Sequence, residues 1–535
     1  MTTTLHSSYP PGVPHTIPPL RYDSVGDMLA SCCEQFASKT AFVQDSADLS
    51  FGDLRHFGER LATFLNVHLK LRPGDRVALM MPNTLSYPVA ICGVFWAGGV
   101  IVNVNPMYTV REVRHQLLDS DSRTVIVAAP YVNTVLEALV DVEGIAVIVA
   151  PLSGALREKK GAQENGPIVE LEVALATETP FYVRRRTAEQ TAVLQYTGGT
   201  TGPSKGADLM HRNILSDIEQ LGLWISSAVS QGDNVVLTAL PIYHVFAFTV
   251  NVLSFIRVGG KNVLVPNPRD VDGLVATMDR QKITAITGVN TLFNGLLNAA
   301  RFDQLDFSRL RLCLGGGSAI QPAVARRWQQ VTGTVLTEGY GLSETSPVVA
   351  VNRLDSGTFR EGIGLPLPST ELSIRDDSGR EVAQGESGEL HIRGPQVMRG
   401  YWNKPEETSK AFTADGYFRT GDVAYRDPEG HYHIVDRKKD MVLVSGFNVY
   451  PTEIEAICSE YPGVLESACI GIPDERTGEA IKIYVVKKDQ AMTRESLIEH
   501  FRKNLAAYKV PRHVEFVAEL PKSTVGKILR RELRK

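Results

Sequence analysis

Eleven consecutive residues, Tyr196-Thr197-Gly198-Gly199-Thr200-Thr201-Gly202-Pro203-Ser204-Lys205-Gly206, hold four glycines, four Ser/Thr hydroxyls and one lysine. They follow directly on the apolar run Ala192-Val193-Leu194. Glycine lets a backbone turn through positive φ, so that successive amide N–H groups can converge on one anion. Thr197, Thr200, Thr201 and Ser204 add donors and Lys205 adds a charge, a set suited to a polyphosphate. The spacing is not that of a Walker A loop, which ends in Gly-Lys-Ser/Thr. Taken alone, the stretch reads equally well as a surface turn.

Other segments carry residues of the same kind. Glu338-Gly339-Tyr340-Gly341-Leu342-Ser343-Glu344-Thr345 places acids beside hydroxyls, a pattern that also serves as a cap or turn. Gly315-Gly316-Gly317-Ser318-Ala319 follows the apolar Leu312-Cys313-Leu314. Tyr417-Phe418-Arg419-Thr420-Gly421-Asp422 ends on a carboxylate, an acceptor-only, two-pronged group. The charged run Asp436-Arg437-Lys438-Lys439-Asp440 comes next, and Lys527 lies in the basic tail Leu520–Arg531. His244 stands in the aromatic segment Leu240–Phe248, where a satisfied core histidine is the alternative reading.

Elements that must position these residues are visible as alternating runs. Val77–Met80, Thr124–Ala128, Ala146–Val149, Asn234–Leu237, Asn262–Val265 and Ala285–Thr287 are short and β-branched, with amphipathic stretches such as Arg111–Leu118 between them. That alternation predicts α/β layers with largely parallel strands. After about residue 355, turn signals at Asp377-Ser378-Gly379, Gly385–Gly388, Asp415-Gly416 and Pro428–Gly430 separate strands such as Glu389–Arg393. The expected fold is α/β: a large N-terminal domain of layered α/β subdomains plus a β-rich subdomain, and a small mobile C-terminal α+β domain. The expected divisions are an arm at 1–22, a large domain at 23–435 and a small domain at 436–535. The apolar stretch Pro88–Val104 is short for a membrane span and contains Gly93, Gly98 and Gly99, so it reads as a buried helix over roughly 84–97 followed by a strand.

A net charge of −4, with no long basic run before the C-terminal end, gives nucleic-acid binding no electrostatic support. The six cysteines (Cys32, Cys33, Cys92, Cys313, Cys458 and Cys469) show no metal spacing and read as buried thiols of a reducing compartment. With no basic-then-apolar leader before the five prolines of residues 10–19, the expected location is cytoplasmic.

Together the segments resemble the acyl-adenylate-forming superfamily, and Leu194–Gly202 is similar to bacterial long-chain fatty-acyl-CoA synthetases in particular. Gly198, Ser204 and Ser343 depart from the usual residues while keeping the hydroxyl or the geometry needed. The resemblance implies that Thr197, Gly198, Gly199, Thr200, Thr201, Gly202 and Lys205 hold the nucleotide's phosphates. Gly316, Gly317 and Ser318 accept the adenine, Tyr340, between Gly339 and Gly341 of the segment that holds the nucleotide, stacks on it, Ser343 reaches the α-phosphate, and Glu344 carries Mg²⁺. Asp422 takes the ribose hydroxyls with Arg437 assisting, Lys439 is the pivot of the small domain, and Lys527 is the adenylation lysine. His244 lies near the substrate carboxylate, Phe248 is a candidate acyl gate, and Gly446 leaves room for pantetheine.

The implied reaction uses ATP, Mg²⁺ and CoA to convert a medium- or long-chain fatty acid to acyl-AMP and then to acyl-CoA. An acyl-AMP ligase loading an acyl carrier protein is the alternative, because both acceptors present the same arm. Peripheral contact with the inner face of the membrane and a homodimer exchanging Pro-rich arms remain open in this reading, though no amphipathic anchor is present.

Overall fold

The computed structural model describes residues 9–159, 168–178, 184–197, 204–445, 447–474, 476–524 and 526–534. Two large sheets carry the N-terminal portion. The first has nine strands, and its centre is parallel: Leu336–Gly341, Leu312–Gly315, Ala285–Gly288, Val235–Thr238, Lys261–Leu264 and Thr40–Gln44, in that spatial order. The second has seven strands, parallel from Ile168–Glu170 through Thr191–Thr197, with Lys205–Met210 closing one edge antiparallel. Val235–Thr238 and Val100–Asn103 are buried along their whole length, as expected of β-branched runs covered on both faces. Each of the predicted β-branched runs forms a strand within a residue or two of its expected limits.

The apolar stretch is helix Ser86–Trp96, buried at every residue, followed by strand Val100–Asn103. No helix among the described residues is long and apolar enough to cross a membrane. This helix packs closely on Phe51–Val67 because two glycines face across the contact. A Cβ on Gly58 would stand 2.5 Å from the Trp96 ring, and one on Gly93 would stand 2.7 Å from Leu61. Capping boxes start two of the surface helices: Ser50 with Asp53 for Phe51–Val67, and Thr109 with Glu112 for Val110–Asp119.

Beyond residue 355 the chain builds an antiparallel four-stranded sheet from Glu371–Arg375, Gly388–Arg393, Phe418–Arg426 and Tyr432–Arg437. The C-terminal portion has its own sheet of five strands. Its centre is Gly478–Lys487, paired with Val464–Asp474 antiparallel and with His513–Val517 parallel. Helices Pro451–Ser459 and Arg494–Asn504 contribute Ile454, Cys458, Leu497 and Phe501 to a separate core. All six cysteines are free and buried. The Pro-rich segment from Tyr9 onward lies against its own chain: the Tyr9 hydroxyl donates to the Pro366 carbonyl (2.5 Å), and the Ser369 amide donates to the His15 carbonyl (2.7 Å).

Candidate active site

The chemistry-bearing segments lie at strand ends. Leu312–Gly315 and Leu336–Gly341 are parallel neighbours, so the Gly316–Ser318 turn and the Gly339–Gly341 segment emerge side by side at their C-terminal edge, where ligands of open α/β sheets bind. Gly316 is in tight contact there: a Cβ would stand 3.2 Å from both the Gly339 carbonyl and the Phe246 ring. Glu338, buried just before the glycine, accepts the Ile320 amide at 3.4 Å, and burial pushes its carboxyl up to about 8.

Tyr340 reaches away from this edge to the four-stranded sheet. Its hydroxyl donates to Asp422 Oδ2 at 2.5 Å, while Arg437 Nε stands 3.1 Å from Asp422 Oδ1. Asp422 and Arg437 are direct cross-strand partners. Asp422 therefore belongs to strand Phe418–Arg426, within the stretch between Arg419 and Val423 where the pairing with Gly388–Arg393 shifts register, and is not the β-turn aspartate that its local sequence also permits. Burial, together with the Asp422 charge, holds the Tyr340 phenol well above its ordinary range, so it stays a donor.

Glu344 and Ser343 occupy a single 3₁₀ turn, Ser343–Thr345. The Tyr401 hydroxyl donates to Glu344 Oε1 at 2.9 Å. Burial raises the Glu344 carboxyl, opposed by this hydrogen bond and by the Arg437 and Lys205 charges. The Lys205 ammonium lies 4.6 Å from the Tyr401 ring centroid and pairs with Glu407 at 2.8 Å. Thr197 faces Lys205 across the antiparallel ladder. Gly198, Gly199, Thr200, Thr201 and Gly202 lie outside the described residues, as does Gly446.

Lys527 arrives from the C-terminal portion on a tight turn: Ser523 donates its amide to the Lys527 carbonyl (2.7 Å), and Lys522 bridges to Ile528. The turn touches the large sheets through Thr291 Oγ1, which donates to the Gly526 carbonyl (3.0 Å), and Asn105 Nδ2, which donates to Thr524 Oγ1 (3.3 Å). Gly526 has φ +80°, and a Cβ there would stand 2.9 Å from Thr291 Oγ1, so both its conformation and its contact require glycine. The Lys527 side chain is exposed to solvent. The protein packed around it, together with the Arg437 charge and against the pull of Asp422, brings its ammonium down to about 8.

His244 lies within reach of the same charge. Burial and then Lys527 bring it down to about 4, and its Nδ1 accepts the Phe246 amide at 3.3 Å, which leaves a neutral ring with the proton on Nε2. It precedes a π-helical stretch, Phe246–Leu253, in which Phe248 is fully buried in the main core. Lys439 sits exposed in the turn after Tyr432–Arg437.

Tyr401 and Glu407 are not among the residues expected from sequence. Tyr401 carries a weak signal, the aromatic pair Tyr401-Trp402 in a loop segment, a setting where function is common, whereas Glu407, in helix Pro405–Ala411, carries none. Among the described residues no group of three or more His, Cys, Asp or Glu side chains could hold a metal ion by itself.

Carboxylate and cationic groups from two portions of the chain, Asp422, Arg437 and Lys527 among them, interact here, an arrangement suited to an enzyme that handles a charged nucleotide. Residues 29–402 match the model of the AMP-binding enzyme family, and residues 453–527 match that of the AMP-binding enzyme C-terminal domain. The chain belongs to this family. It is 48% identical to a long-chain-fatty-acid–CoA ligase of Escherichia coli O157:H7, covering 98% of this chain and 97% of that protein. The corresponding ligase of Bacillus subtilis (strain 168) is 35% identical over the same shares, 98% and 97%. Among solved structures, an anthranilate CoA ligase, AuaEII, in complex with anthranoyl-AMP superposes with a TM-score of 0.87 at 26% identity, covering 96% of this chain and 97% of that one. ATP-bound MatB from Rhodopseudomonas palustris gives a TM-score of 0.84 at 30% identity, covering 95% and 98%.

Proposed function

We propose that this chain is an AMP-forming fatty-acyl-CoA synthetase, a fatty acid–CoA ligase that joins a fatty acid to ATP and then passes the acyl group to CoA. Near-complete coverage of long-chain-fatty-acid–CoA ligases at up to 48% identity supports a long-chain acid as substrate. The single observation that carries the reading is that the Lys527 turn of the C-terminal portion docks on the large sheets through Thr291 and Asn105, within reach of the Arg437 and Asp422 charges.

In the first half-reaction a carboxylate oxygen attacks the α-phosphorus of ATP and pyrophosphate leaves. Two anions approach and charge spreads over the phosphorus, so a cation held beside the ribose site offsets both. Lys527 is that cation in this reading, with Lys205 released from Glu407 to the phosphates and neutral His244 offering an Nε2–H donor to the acid. Asp422 accepts from the ribose hydroxyls, Arg437 steadies it, and Gly316–Ser318 with Tyr340 bounds the adenine. One carboxylate combined with phosphate oxygens is a common way to hold Mg²⁺, and Glu344, with one oxygen engaged by Tyr401, fits that requirement. Bound there, the ion would neutralise phosphate charge.

In the second half-reaction the part of the chain that follows Lys439 turns about that residue and presents the Gly446 loop, the CoA thiol attacks the acyl carbonyl, and AMP leaves. No protein nucleophile is needed. Phe248 is the proposed acyl gate, and the cytoplasm is the proposed location.

The test is release of AMP and pyrophosphate with ATP, Mg²⁺ and straight-chain fatty acids of graded length, each with and without CoA. CoA-dependent turnover with acyl-CoA formation, best with long chains, is the expected result. Pyrophosphate exchange without acyl-CoA would instead indicate a carrier-protein acceptor.

A further inference from the structure

Strand Tyr432–Arg437 presents two consecutive charged side chains to opposite faces, as strand alternation requires. Arg437 turns to Asp422 and the nucleotide side. Asp436 turns the other way, is 3% exposed, and is bonded by residues that follow Lys439 in the chain. Its Oδ2 accepts from the Thr452 amide (3.0 Å) and from Thr452 Oγ1 (2.8 Å), at the first turn of helix Pro451–Ser459. Its Oδ1 accepts from Arg530 Nη1 at 3.1 Å. Arg530, three residues past Lys527, also forms a two-pronged pair with Glu455, at 3.1 Å from Nε and 2.7 Å from Nη2.

We propose that Asp436 is a positioning residue that latches the C-terminal unit in its adenylation posture and so aims Lys527. The proposal rests on the reading that the unit turns about Lys439. Asp436 precedes that pivot, whereas Thr452, Glu455 and Arg530 follow it. Rotation therefore carries the Arg530–Glu455 pair along intact and breaks each bond from Thr452 and Arg530 to Asp436. These are charge-assisted bonds to one carboxylate beside the pivot, where a small displacement becomes a large one at the Lys527 turn. The contacts at the turn itself, from Thr291 and Asn105, are bonds between neutral groups.

The latch predicts a split between the half-reactions that a merely structural role would not produce. Asp436→Asn keeps shape and one acceptor but removes the charge. It should lower fatty-acid-dependent pyrophosphate exchange by about tenfold, the equivalent of one charge-assisted bond, and leave transfer from preformed acyl-AMP to CoA equal or faster. Thr452→Val, which keeps the amide bond and loses the hydroxyl, should give a smaller change of the same sign and serves if the first variant folds poorly. Energy transfer between dyes on Ser378→Cys and Gln490→Cys, both exposed positions, should show the adenylation-posture distance depleted in Asp436→Asn. Equal losses in both half-reactions with an unchanged distance distribution would overturn the latch. Retention of pyrophosphate exchange by Lys527→Ala in the same assay would instead overturn the underlying reading.

Discussion

The two halves of the site are held in opposite ways. Gly316–Ser318 and Gly339–Gly341 stand on parallel strands whose neighbours include Cys313, Ile286, Phe293 and Trp328, all fully buried. Lys527 stands on a turn that meets the large sheets through a few hydrogen bonds, to Thr291 and Asn105, with Asn294 donating to the Leu465 carbonyl nearby (3.1 Å). Close-packed apolar contact resists displacement, whereas a hydrogen bond contributes only about 0.5–1.5 kcal/mol net because water can replace it. The contrast fits a fixed nucleotide platform served by an exchangeable cation.

Leaving Lys527 aside, the largest effect that would sharpen the contrast is on the platform. Glu344→Gln keeps the volume and the Tyr401 contact but removes the charge. Adenylation kcat should fall about 10²- to 10³-fold, the usual cost of losing one electrostatic stabiliser, with the melting temperature nearly unchanged. A loss of folding instead would make Glu344 a structural acid. On the exchangeable side, Gly526→Val places a branched side chain at φ +80° and against Thr291. Pyrophosphate exchange should slow about tenfold, in line with about 1–3 kcal/mol of local strain, while transfer to CoA is spared. Equal slowing of both steps would mean that the turn matters in both postures.

The smallest effect is in pH. In the proposed reading Lys527 acts as a cation, and the protein packed around it, with the Arg437 charge, brings its ammonium down to about 8. Above that value the unliganded enzyme loses the charge. Adenylation kcat/KM, which reports groups of the free enzyme, should therefore be level below pH 8 and fall toward tenfold per unit above it. His244, down at about 4, stays neutral across this range and should add no limb between pH 5 and 8. A plateau extending beyond pH 10 would remove Lys527 from the adenylation step.

Much of this arrangement is legible in sequence because buried parallel strands are written as unbroken β-branched runs, and the Gly-rich segments follow them directly. The chemistry of Asp422, Arg437 and Lys527 comes from resemblance, since each alone is an ordinary turn or surface residue. The pairing of Tyr401 with Glu344, 57 residues away, and of Glu407 with Lys205, 202 residues away, is invisible until the sheets are assembled. The same holds for Tyr9 on Pro366, 357 residues apart, so the arm's attachment to its own chain has no local signature. The π-helical register of Phe246–Leu253 is likewise unsignalled, because no Pro or Gly marks it.

The most direct test of a fixed platform served by a delivered cation is Lys527→Ala assayed on the two half-reactions separately. Fatty-acid-dependent pyrophosphate exchange should vanish, while CoA-dependent release of AMP from preformed acyl-AMP should continue near the rate of the unsubstituted enzyme. Survival of pyrophosphate exchange, or parallel loss of both activities, would contradict the account.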